Sequence, residues 1–163
     1  MNSFKTKTLF KAFCSIAAIG MLMASCSKND SDVADVACLA HLNPDTLRFV
    51  VLGKESGADL FFSDSPVYDT TELKLFRKGA GSALEPAHQG IAENRGDIHF
   101  FSYVYPADTL FMQIADQPLD TIAFTGEVVY RPCPQSLLVE VTFNSEAPQT
   151  EAHGRIVPLY RKE

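Results

Sequence analysis

From about Asn43 onward the chain is written in short apolar runs of Val, Ile, Leu, Phe, Tyr and Thr, interrupted every 10 to 15 residues by Gly, Pro, Asp or Asn. No stretch of it holds apolar residues at helical spacing for more than two turns. Runs of this length and composition specify strands, and strands without helices to serve as crossovers must pair antiparallel. Eight are predicted: Thr46–Leu52, Asp59–Phe62, Glu72–Arg77, Asp97–Tyr105, Thr109–Ala115, Thr121–Tyr130, Leu137–Asn144 and Arg155–Arg161. The expected fold of residues 43–163 is therefore all-β, an antiparallel two-layer β-sandwich of immunoglobulin-like or transthyretin-like topology.

The alternation within strands orients them. In Leu137–Phe143, Leu137, Val139, Val141 and Phe143 fall on one side and Glu140 and Thr142 on the other, which predicts one buried and one wet face. In Asp97–Tyr105, Ile98, Phe100 and Val104 oppose Phe101, Tyr103 and Tyr105, so both faces are apolar and a covered position is expected. Gly79–Gly96, with Gly81, Pro86 and Gly90 inside it, reads as a broad surface loop. Three strand entries repeat Asp-Thr-Leu/Ile, at Asp45, Asp108 and Asp120, where Asp closes a turn and Thr opens the strand.

The N-terminus belongs to a different grammar. Lys5, Lys7 and Lys11 precede an unbroken block of small and apolar residues, Ala12–Ala24, too short to span a bilayer but of the length of a secretory signal core. The closing Ala24-Ser25-Cys26 resembles the bacterial type II lipoprotein signal, which implies cleavage before Cys26 and acylation of its thiol. Met23 stands where that family usually carries Leu. The expected organisation is a signal peptide over 1–25, an acidic tether over 26–42 with a short helix at Val33–Leu42, and the β-sandwich over 43–163. The whole chain carries 14 basic and 20 acidic residues; removal of 1–25 takes three lysines and no acid, leaving 11 against 20, a net charge of −9. A chain of that sign is a poor tracker of phosphate backbones, and no nucleic-acid partner is expected.

Gly57-Ala58-Asp59-Leu60-Phe61-Phe62, Tyr68-Asp69, the Asp-Thr-Leu and Asp-Thr-Ile entries, Cys133 and Val141-Thr142-Phe143-Asn144 are similar to small uncharacterised lipoproteins of the Bacteroidota. That resemblance spans roughly Leu47–Lys162 and implies a lipid-anchored outer-membrane protein, facing the periplasm or the cell surface. The family has no assigned activity, so it carries no catalytic residue onto this chain.

The remaining chemistry is sparse. With Cys14 lost in the signal and Cys26 acylated, Cys38 and Cys133 are left as candidates for one disulfide in an oxidising compartment, or as two unrelated thiols. No Cys-x-x-Cys motif, Gly-x-Ser-x-Gly elbow or phosphate loop occurs. His41 lies three residues from Cys38 without further ligands, His99 reads as a half-buried strand residue, and His88 and His153 as loop surface. Neither a metal nor another cofactor is expected, and no catalytic group. Two roles remain: a non-catalytic structural or protein-interaction module of the cell envelope, or a glycan-binding accessory using Tyr68, Tyr103, Tyr105, Tyr130 and Tyr160 as stacking surfaces.

Overall fold

The computed structural model describes residues 42–79 and 81–162. The expected signal, Cys26, Cys38, His41 and nearly all of the expected tether lie outside them. Ten strands form: β1 (Asp45–Gly53), β2 (Leu73–Lys78), β3 (Leu84–Pro86), β4 (Gly90–Asn94), β5 (Asp97–Val104), β6 (Thr109–Ile114), β7 (Asp120–Tyr130), β8 (Pro134–Phe143), β9 (Gln149–Thr150) and β10 (Ile156–Arg161). Among the described residues the only helical element is a single 3-10 turn, Thr70–Glu72.

The strands make a β-sandwich of a four-stranded sheet, β10-β1-β5-β4, and a six-stranded sheet, β3-β2-β6-β7-β8-β9. Leu47, Phe49 and Val51 alternate inward along β1, and Phe100 and Val104 continue the same face on β5. Opposite them lie Leu110, Met112 and Ile114 of β6 and Ile122 and Phe124 of β7. Period-two alternation thus supplies one continuous core between the layers. Phe61 plugs one side of it, its ring edge-on to Phe100 at 5.1 Å between centroids.

Four expectations are corrected. Asp59–Phe62 is not a strand: only Asp59 bridges to Leu52, and its Oδ1 accepts hydrogen bonds from the N–H groups of Phe61 and Phe62, which curls the chain into a turn. Gly79–Gly96 is not one loop, because Leu84–Pro86 pairs with β2 and Gly90–Asn94 with β5. Gly90 is required there, since a Cβ would stand 2.5 Å from the Phe101 ring that lies against it.

The pairings are antiparallel except β1 with β10, which are parallel. No crossover helix is needed for that pair, because the chain between them passes through the whole second sheet and through β4 and β5 of their own. In β8 the inward residues are Ser136 and Leu138 and then Val141 and Phe143, so the alternation changes phase midway. Thr125 pairs with Glu140 and Gly126 with Leu138, leaving Val139 as an extra, 39% exposed residue. A β-bulge of this kind turns every side chain beyond it to the opposite face, so Leu138 rather than Leu137 enters the core.

Candidate functional site

The two ends of the sandwich differ in chemistry. At the end where β1 and β10 finish and β7 begins, Arg161 Nε lies 2.7 Å from Asp120 Oδ2, with the two side chains 10% and 13% exposed. Asn144 Nδ2 donates to Asp120 Oδ1 at 2.7 Å, while Asn144 Oδ1 accepts from Thr121 N at 2.9 Å. Lys54 pairs with Glu146 above them. These groups, with Tyr160 and Lys162, line a cleft of about 510 Å³. Its buried carboxylate is held by one ion pair, to Arg161 of the other sheet, and one hydrogen bond, from Asn144, which makes the network an inter-sheet clamp.

The opposite end, where the described chain begins at Leu42, is rich in exposed tyrosine. Tyr103 is 42%, Tyr105 41% and Tyr130 75% exposed, and Val128 beside Tyr130 is 42% exposed. The His88 ring packs on Tyr103 at 4.6 Å between centroids, and Arg77 Nη2 donates to Tyr103 O across the two sheets. Ser102, buried, donates its hydroxyl to His88 O at 2.6 Å and so fixes the segment that carries the imidazole.

At the same end the β7–β8 ribbon projects as an arm. β6 pairs with β7 only over Asp120–Ala123, whereas β8 accompanies β7 to Tyr130. Asn43 joins the far edge of β8, its N–H donating to Pro134 O and its O accepting from Ser136 N. Cys133, between Pro132 and Pro134 at the tip, is disulfide-bonded. Cys133 is the single cysteine among the described residues.

The candidate residues named from sequence are thus divided. Tyr103, Tyr105, Tyr130 and Cys133 share one end, Tyr160 lines the polar cleft, and Tyr68, half-buried, packs on Phe61 at 5.8 Å against the core. His99 is completely buried, with Nδ1 3.0 Å from Asp97 O, rather than half-buried. His153 is exposed as expected, yet its Nδ1 lies 2.8 Å from Asp45 Oδ2, which also accepts from Leu138 N. Thr109 opens β6 after Asp108 as expected, whereas β1 begins at Asp45 itself; Asp45 Oδ1 and Asp108 Oδ1 accept from the N–H of Thr46 and Thr109. Asp120 instead turns its carboxylate to Arg161 and Asn144, two residues that composition alone does not single out. No group of three or more metal-ligating side chains occurs among the described residues. No family model, curated protein or solved structure matches the chain, which leaves the geometry of these residues as the ground for its function.

Proposed function

We propose that the protein is an outer-membrane lipoprotein, anchored through acylated Cys26, whose sandwich is a non-catalytic protein-interaction module of the cell envelope. The observation that carries the reading is the β7–β8 arm: Tyr130, 75% exposed, and Val128 stand on a ribbon braced by Asn43 and disulfide-bonded at Cys133. Exposed aromatic side chains on a stiff scaffold lose little entropy on binding and are enriched in interface cores. A disulfide suits an oxidising compartment, as the N-terminal signal requires.

Two measurements test it. The exported protein is expected to incorporate labelled acyl chains and to fractionate with outer membrane, and Cys26→Ser is expected to lose both; retention of the label by Cys26→Ser refutes the anchor. A photo-crosslinking residue at Tyr130 is expected to give an adduct of discrete mass in intact cells, whereas one at Val67, itself 65% exposed, is not. Absence of any adduct at Tyr130 refutes the interaction module.

The glycan-binding reading is favoured by one feature, the Tyr103 ring with His88 beside it, an aromatic surface with a polar rim. Titration against a panel of envelope and plant oligosaccharides, with Tyr103→Ala as the comparison, decides between the two. Saturable binding abolished by Tyr103→Ala selects the glycan.

A further inference from the structure

The outer edge of the β7 arm is an open strand edge, and the direction of its hydrogen-bonding groups follows from its partner. Pro134 O and Ser136 N of β8 are taken by Asn43, on the side away from β7. Backbone groups in an antiparallel ladder alternate sides, so Gln135 and Leu137 are the β8 residues that bond to β7, opposite Val129 and Glu127. The N–H and C=O of Val128 and Tyr130 therefore point outward, to a side where no strand lies among the described residues. Of the other edges, β3 contains Pro86, β10 contains Pro158 and β9 is two residues long after Pro148, while β4, which opens with Gly90, carries no proline. Glu127–Arg131 contains neither proline nor glycine and reads Glu-Val-Val-Tyr-Arg.

We infer that this edge pairs with the same edge of a second copy, antiparallel about a two-fold axis at Val129, joining two six-stranded sheets into one. The register is dictated by the outward groups. Val128 must face Tyr130 of the other copy for both N–H groups to find carbonyls, which makes four backbone hydrogen bonds across the axis. The same register sets Glu127 opposite Arg131 twice, a complementary charge pair at each end of the contact. It also lays the exposed Val128 against the exposed Tyr130, a β-branched and aromatic cross-strand pair. A two-fold contact of this kind closes on itself and does not propagate into fibres. With only five residues from each copy the interface is small, so the dimer forms and dissociates with concentration. This pairing names the partner for the interaction reading, and it needs no acyl anchor.

The test uses the exported full chain. Val129 lies on the axis in a non-hydrogen-bonded pair, with Cα atoms about 4.5 Å apart, within disulfide range. Val129→Cys is expected to give a reducible dimer under mild oxidation. Arg131→Glu in that background is expected to abolish the dimer, and Glu127→Arg with Arg131→Glu to restore it, since the swapped charges match again. Val128→Pro removes an outward N–H that the monomer does not use, and is expected to abolish the dimer while leaving the circular dichroism spectrum and melting temperature unchanged. A Val129→Cys protein that stays monomeric, or a dimer indifferent to Arg131→Glu, overturns the inference. A monomer that still forms the Tyr130 adduct with another protein overturns the dimer alone, and leaves the interaction reading standing. Co-sedimentation with anionic vesicles that depends on Tyr130, without dimer, assigns the arm to a lipid surface and also overturns it.

Discussion

Replacing Asp120 by Ala removes the acceptor at the centre of the inter-sheet clamp. Arg161 loses a 2.7 Å ion pair and Asn144 a 2.7 Å charged hydrogen bond, and Arg161 keeps only Pro118 O at 3.5 Å. With side chains 10% and 13% exposed, water replaces little of what is lost. Removing one member of a buried ion pair costs about 3–5 kcal/mol; residual exposure argues for the lower end, about 3 kcal/mol. For a domain of this size, with a urea dependence of about 1.5 kcal/mol per M, the midpoint falls by about 2 M. Most of this cost is the uncompensated guanidinium rather than the worth of the pair. Arg161→Met on the Asp120→Ala background is therefore expected to regain about 1–2 kcal/mol. Urea unfolding of the wild type, both single variants and the double variant forms a complete cycle. If the double variant loses the sum of the two single losses, within about 0.5 kcal/mol, the two side chains are uncoupled and the clamp is refuted.

The bulge and the 3-10 turn give two more expectations. Leu138→Asp buries a carboxylate in the core and is expected to prevent folding, whereas Val139→Asp, one residue later on the bulge, is expected to shift the urea midpoint only slightly; equal damage by both in a proteolysis or urea assay refutes the phase change. The Asp69 carboxyl is held below its usual 3.8, first by the Thr71 hydroxyl and then by the Thr71 N–H. A carboxyl depressed in the folded state contributes stability that is complete above about pH 4 and fades as pH falls through the lowered value. An NMR titration is expected to place its midpoint under that of an exposed Asp, and Thr71→Val to move it upward; no upward movement refutes the hydroxyl's role.

Features that depend on near neighbours along the chain could be read from the residues alone. Period-two alternation in Leu47-Phe49-Val51 and in Leu110-Met112-Ile114 specifies strands with one buried face, because successive side chains of an extended chain must point to opposite sides. Turn chemistry such as Asp45-Thr46 and Asp108-Thr109 is equally local. From these the all-β, two-layer architecture was legible, as were most strand positions.

Features that depend on distant partners emerge only in the folded chain. Val139 has the same neighbours in an alternating pattern as any inward valine; it is expelled because Gly126, on another strand, takes Leu138 as its partner. Asp120 sits in the same Asp-Thr motif as Asp45 and Asp108, yet it turns to Arg161, 41 residues onward, since only the closed sandwich brings β10 beside β7. His99 looks half-exposed by alternation and is buried. The parallel pairing of β1 with β10 comes from opposite ends of the domain, where no local pattern records it. The open edge at Val128 and Tyr130 is the same kind of fact. Alternation tells which way a side chain points, but which backbone groups lack a neighbour is settled only when the pairing of β7 with β6 stops at Ala123 while its pairing with β8 continues to Tyr130.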